Sequence, residues 1–162
     1  MISDQVKQTI GKALGRIPSG VFILTAGKGP TLTAMMASWV QQAAFDPPTV
    51  SVAVAKGRPA AAAVRESKLF TLSVLGDKDH ALLKKYARGI APGEDPFAGV
   101  ATKPTSIDIP VLADALAYLE CRLEKECDFG ADHDLLIATV TAGQLLREGD
   151  SFTHLRGNGF HY

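Results

Sequence analysis

Two long stretches of alternating hydrophobicity constrain the fold of this chain more than any other feature. From Ala115 to Glu126, Ala117, Leu119, Cys121 and Leu123 fall on one face, and Tyr118, Glu120, Arg122 and Glu124 fall on the other. A second long strand pattern runs from Leu135 to Leu146 and is interrupted at Gly143. Successive side chains of a strand point to opposite faces, so both runs fit an antiparallel sheet with one face packed.

Shorter strand signals precede them. Val21 to Thr25 is β-branched and aromatic and ends in the turn Gly27-Lys28-Gly29-Pro30, from which Thr31 to about Ser38 returns antiparallel. In Thr49 to Ala55, Val50, Val52 and Val54 alternate with small residues, and a face of small residues leaves room for something bulky. Phe70 to Leu75 is a further strand. A first helix is capped by Ser3, carries Val6, Ile10, Ala13 and Leu14 at helical spacing, and ends at Gly15 and Pro18. It reads as a cover over an open side. Pro59 opens a second helix reaching about Glu66, and a third runs from Asp77 or Lys78 to Tyr86 with Leu82 and Leu83 inward. Arg88 to Pro110 is irregular and proline-rich, and a connection of that length is usually functional or mobile. Residues 1–162 therefore read as one domain, mainly β: a small β-barrel of six to seven mostly antiparallel strands with peripheral helices.

Composition removes several classes of function. Seventeen basic and seventeen acidic side chains cancel, so neither nucleic acid nor an anionic membrane is an expected partner. No run approaches the roughly 20 apolar residues that cross a bilayer, and the N-terminus lacks the blocks of a signal peptide. Cys121 and Cys127 lie on one strand, roughly 20 Å apart, too far for a disulfide, which fits a reducing cytoplasm. The phosphate-binding loops of parallel α/β proteins and the Gly-x-Ser-x-Gly elbow are absent, as is a framed pair of carboxylates. Cys127, Asp128, Asp132, His133 and Asp134 crowd together, but their spacing matches no usual zinc pattern and no metal site is expected.

Three segments carry chemistry. In Thr33-Ala34-Met35-Met36-Ala37-Ser38-Trp39, the alanines let a flat ring approach the backbone, while Thr33 and Ser38 supply hydrogen bonds. A strand packed under a helix would show the same small residues. Trp39 fits equally a ring stacked on a ligand, an interface anchor or a core indole. Lys56 and Arg58 flank Gly57 just before the helix opened by Pro59, where free N–H groups and two cations make a phosphate site; a solvated turn is the plainer reading. His133 follows Gly130-Ala131-Asp132 at the start of the last long strand.

Taken together with Gly15-Arg16-Ile17-Pro18-Ser19-Gly20-Val21, Phe45-Asp46-Pro47-Pro48, Ala53 to Pro59, Phe97 to Thr102, Asp114 to Cys121 and Gly159 to Tyr162, these segments make the chain resemble the flavin reductase-like family. Within it, the chain is similar to the flavin reductase domain at the C-terminus of cyanobacterial flavodiiron proteins. The resemblance implies an FMN-binding split barrel that forms a homodimer, with FMN (or FAD) as cofactor and NADH or NADPH as electron donor. It implies cofactor contacts at Pro18, Ser19, Thr33, Ala34, Met35, Met36, Ala37, Ser38, Trp39, Ala55, Lys56, Gly57 and Arg58. His133 would bind the nicotinamide or assist hydride transfer. The family usually shows Gly-Asp-His here, so Ala131 stands where glycine is expected, and a positive φ at that position would be strained. The expected activity is transfer of hydride from NAD(P)H to flavin and onward to free flavin, a partner protein or oxygen. An electron carrier that uses no nicotinamide and a flavin-binding module without turnover are the alternatives. The basic-aromatic tail of Arg156, Phe160, His161 and Tyr162 either folds over a partner's flavin or closes the barrel end, and the loop around Phe97 is a candidate gate.

A magnitude explains why polar contacts matter. Burying a ring of ~200 Å² yields only ~5 kcal/mol. Micromolar retention needs ~8 kcal/mol before association costs are counted.

Overall fold

A computed structural model describes residues 2–160; the expectations placed on His161 and Tyr162 fall outside the described residues. The elements follow in the order α1 (Asp4–Leu14), β1 (Phe22–Ala26), β2 (Thr33–Ala37), β3 (Val40–Phe45), β4 (Pro48–Ala55), α2 (Pro59–Ser67), β5 (Leu69–Val74), α3 (His80–Ala87), β6 (Thr102–Lys103), β7 (Val111–Leu112), β8 (Ala117–Asp128) and β9 (His133–Leu145). Seven strands form one antiparallel sheet in the order β2-β1-β5-β8-β9-β4-β3, and β6 pairs with β7 apart from it. The two edge strands, β2 and β3, are consecutive and joined through Ser38 and Trp39. The sheet must therefore curl until its ends meet, which gives a barrel split between β2 and β3.

The alternation seen in the sequence decides what fills it. Val50, Val52 and Val54 of β4 point inward with Leu24, Phe70, Leu72, Leu136 and Ala138, and α2 adds Ala60, Ala61, Ala63 and Val64 to this cluster. Burial of this apolar surface is the main driving force for closing the sheet. A second cluster lies on the outer side of β1 and β2, where Val21, Ile23 and Ala34 meet Tyr86, Leu112 and Ala115. Strand β1 is thus covered on both faces, which is why its sequence, apart from Thr25, is an apolar run rather than an alternation. Segment 88–115 is held to the sheet by polar ties: Thr71 Oγ1 donates to Pro110 O at 3.1 Å, and Ser73 Oγ accepts from Leu112 N at 3.0 Å.

Four expectations change. Val40–Phe45 is a strand that the sequence did not reveal, because it is a mostly exposed edge with no clean alternation and a register shift between Gln42 and Ala44. Glu120, expected on the solvent face of β8, is only 2% exposed. A register shift at Glu120/Cys121 and the overlying loop bury it, and the backbone N–H and hydroxyl of Ser106 donate to its carboxylate. Gly143 does not interrupt β9; a Cβ there would lie 2.8 Å from Tyr118 O, so the position needs glycine for close strand approach. Finally, α1 turns its glycines inward rather than its apolar stripe. A Cβ on Gly15 would stand 2.4 Å from Arg156 O, and Gly159 N donates to Gly11 O at 2.7 Å. The backbone of 156–159 fits only against that glycine side, which leaves Val6, Ile10 and Leu14 exposed.

Candidate functional site

The split between the edge strands is a cleft of about 320 Å³. Thr33, Ala34, Met35, Met36, Ala37, Ser38 and Trp39 all line it. Seven consecutive residues can do so because β2 pairs only with β1. Its other edge turns unpaired backbone N–H and C=O groups toward the cleft. Met35 and Ala37 belong to the interior cluster, while Ala34 and Met36 belong to the outer one, so the strand is anchored on both sides. Across from it, Ala53 and Ala55 of β4 present the small-residue face. The strands are held in phase by Ala53 N donating to Trp39 O at 3.0 Å.

Arg58, Pro59 and Ala60 close one end of the cleft. Pro59 carries no N–H, so Ala60 is the first residue of α2 whose N–H lacks an acceptor within the helix. Arg58, exposed and beside that helix start, adds a positive charge. Gly57 takes φ +81°, the left-handed turn that steers the chain from β4 into α2. Lys56 is placed differently. Its Nζ reaches Asp128 at 2.8 Å and Asp134 at 3.7 Å, and its backbone N donates to Asp132 O at 2.9 Å. The hydrogen bond to Asp128 raises the Lys56 pKa and lowers that of Asp128. Lys56 therefore ties the end of β4 to the β8–β9 turn and does not line the cleft.

That turn presents His133. Asp128 Oδ1 accepts from Gly130 N at 2.8 Å, and Gly130 takes φ +78°, so the left-handed conformation falls on a glycine and Ala131 does not carry it. His133 pairs in register with Ala55, and its ring stands 4.8 Å from the Trp39 ring, tilted by 50°. Its Nδ1 lies 2.8 Å from Asp132 Oδ1. The hydrogen bond to His133 holds the Asp132 carboxyl below its ordinary range, so the carboxylate accepts and Nδ1 donates. His133 thus meets the cleft through Trp39. Behind it, Arg65 joins α2 to both long strands through Glu126 and the buried Asp134. The acidic residues that crowd around His133 in sequence are divided among Lys56, Arg65 and His133.

Pro18 and Ser19 do not line the cleft. Ser19 bridges to His154, and its Oγ is buried without a hydrogen-bond partner. Residues the sequence reading missed close the far end: Tyr86, Ala87, Arg88, Gly89 and Ile90. Tyr86 donates to Pro96 O at 3.0 Å, and Arg88 pairs with Glu94, which also accepts from Ala91 N at 3.0 Å. The connection after α3 is therefore tied down along the cleft rim, and Phe97 packs into the outer cluster. The only local signal was a helix ending in Tyr86-Ala87-Arg88-Gly89, which does not say what the helix end will face.

Comparison with known proteins bears on the family and the fold. The chain is 41% identical over 152 residues to putative diflavin flavoprotein A 3 of Synechocystis, and 41% identical over 153 residues to diflavin flavoprotein A 1 of the same organism. These alignments cover 93% of this chain but only 25% and 26% of those proteins, so it spans about a quarter of the curated relatives it matches. Among solved structures, the Streptomyces globisporus NADH:FAD oxidoreductase SgcE6 superposes with a TM-score of 0.82 at 25% identity, covering 91% of this chain and 87% of that one. A nitrilotriacetate monooxygenase component B homologue from Mycobacterium thermoresistibile gives 0.82 at 22% identity over 92% of this chain and 82% of that one. Residues 14–159 match the family described as flavin reductase like domain, and the chain belongs to that family.

Proposed function

We propose that this chain is an FMN-dependent oxidoreductase of the flavin reductase type, taking hydride from NADH or NADPH and passing electrons to free flavin, a partner protein or oxygen. The observation that carries the reading is the unpaired edge of β2 facing a wall of alanines across a cleft closed at one end by Arg58 and the start of α2. Such a slot fits a flat heterocycle with a phosphate tail. The β2 edge offers alternating donors and acceptors to a pyrimidine edge, Ala53 and Ala55 leave room for a ring, and Arg58 with the Ala60 N–H receives a phosphate. The donor named for SgcE6 supports a nicotinamide as electron source.

Bound flavin supplies the hydride-accepting and electron-passing chemistry. The protein's share is placement. The β2 edge and the alanine wall orient the ring, and the outer cluster behind Ala34 and Met36 keeps that strand rigid. Asp132 fixes the His133 ring through Nδ1, so His133 meets a nicotinamide in one orientation beside Trp39. No side chain has to give or take a proton for hydride transfer.

The same reading takes the chain as a single flavin domain working in the cytoplasm as a homodimer, with the exposed Val6, Ile10 and Leu14 stripe of α1 as surface for a second copy. Rapid mixing of the FMN-loaded protein with NADH and with NADPH tests the activity. Bleaching of the oxidised flavin within seconds is expected, and His133→Ala is expected to slow it at least tenfold while sparing FMN affinity. Reduction by neither nucleotide would leave an electron carrier, and failure to take up flavin would end the reading.

A further inference from the structure

A guanidinium carries five N–H donors and cannot lose its charge, so a buried one requires oxygen acceptors or an anion. Arg156 departs from that rule. It is 8% exposed, and none of the ion pairs among the described residues includes it. Its Nε is buried with no hydrogen-bond partner. The guanidinium carbon lies 4.8 Å from the centroid of the Trp39 ring. That cation–π contact offsets part of the desolvation but accepts no hydrogen bond.

The surroundings add donors rather than acids. Arg16 donates from its guanidinium to Arg156 O at 2.7 Å, which brings a second cation to the same segment. Ser19 exchanges backbone hydrogen bonds with His154 at 3.1 and 2.7 Å, and its hydroxyl is the other buried orphan here. Segments 16–19 and 154–156 therefore carry two cations and two unsatisfied polar atoms, and through Arg156 they adjoin Trp39, the residue that lines the cleft and touches His133. A largely buried cation with no acidic partner and an unsatisfied Nε is stabilised when an anion completes it.

We propose that Arg156, stacked on Trp39, is an oxyanion site that receives a phosphate of a nucleotide occupying the cleft. The proposal rests on the flavin reading of the cleft and adds a contact which that reading does not contain. A phosphate oxyanion can reach Arg156 from two sources: the flavin's own chain or the pyrophosphate of the nicotinamide donor. Arg's planar fork suits either, through bidentate hydrogen bonds.

Trp39 is the only tryptophan in the chain, so its emission reports on the site directly. Inorganic pyrophosphate titrated into the flavin-free full chain is expected to change that emission saturably. The response should weaken at least tenfold in Arg156→Gln and less than twofold in Arg122→Gln, which removes an exposed cation paired with Glu124 outside the cleft. No response in the wild type, or loss in Arg58→Gln with retention in Arg156→Gln, overturns the proposal. Two further arms identify the source. A tenfold loss of FMN affinity in Arg156→Gln with riboflavin unaffected assigns the flavin phosphate. Unchanged FMN affinity with tenfold weaker binding of ADP-ribose to the FMN-loaded protein assigns the donor's pyrophosphate. If FMN, riboflavin and ADP-ribose are all unaffected, the proposal fails. Should Arg156→Gln not fold, Arg156→Lys keeps the charge, and a retained pyrophosphate response is then required alongside the wild-type titration. Wild-type uptake of riboflavin tests the flavin reading separately, so each idea can fail without the other.

Discussion

Replacing Ala53 with leucine puts three extra carbons into the wall that faces β2. The side chains of Val52 and Val54 on either side point into the core, so the added carbons fall in the cleft and leave the interior packing alone. At about 320 Å³ the cleft lies at the lower end of the range for small-molecule sites, so it has little slack. A ring burying ~200 Å² gains ~5 kcal/mol at ~25 cal/mol per Å². Denying it about half that contact removes ~2.5 kcal/mol, or roughly a 60-fold rise in Kd at 1.4 kcal/mol per tenfold. Riboflavin and FMN should suffer alike, because the lost contact is with the ring. Flavin fluorescence titration measures the affinities, and a thermal melt within ~2 °C of wild type, as expected for a ~0.5 kcal/mol change at a partly exposed position, shows that the fold is kept. An unchanged Kd in a protein that melts normally would mean that the ring does not lie against β4.

Other perturbations probe the frame and the rim. Gly143→Ala should lower stability by ~1–3 kcal/mol, because its Cβ would meet Tyr118 O at 2.8 Å and a Leu119 methyl at 2.9 Å; a melting temperature lower by several degrees is the measurement. Arg88 holds the Glu94 carboxyl at about 2, below the ordinary 4.5, chiefly through their hydrogen bond and then through that from Ala91 N. Because the folded value is depressed, this tie contributes fully above about 4.5 and is lost as pH falls toward about 2. The protection factor of the Ala91 amide, its exchange rate relative to that of an unstructured amide at the same pH, should therefore fall over that window in wild type, and Glu94→Gln should show the lower protection throughout. Burial, and next the Glu120 carboxylate, push the Cys121 thiol up to about 12, so a thiol reagent should titrate only Cys127 in the native protein and both cysteines after denaturation. Since Lys56 is held by Asp128, Lys56→Met should change the FMN-to-riboflavin affinity ratio less than twofold, whereas Arg58→Gln should reduce it about tenfold; equal losses would return Lys56 to the phosphate site.

Much of the barrel was legible because period-two alternation is local. Val50, Val52 and Val54 name the inner face of β4 without any knowledge of what they meet, and the small residues between them mark a wall with space before it. Pro59 and Ser3 mark helix starts for equally local reasons, and the Thr33–Trp39 segment carried its small and polar residues in plain view. Strand β3 escaped notice because an exposed edge does not need to alternate. The face of α1 was misjudged because its inward side is set by glycines fitting a distant backbone, not by hydrophobicity.

The composition of the cleft wall, the strand period and the small-residue face were therefore determined by the sequence alone. What the tertiary structure decided was which groups meet. It bound Lys56 to Asp128 and Asp134 while leaving Arg58 at the cleft, placed the left-handed turn at Gly130 and not at Ala131, and added residues 86–90 to the rim. It also laid Arg156 over Trp39 and Trp39 against His133, positions separated by more than a hundred residues at one step and by nearly a hundred at the other. Local periodicity reports what a residue shows its own strand, whereas a binding site is a property of distances between strands, and those exist only once the sheet has closed.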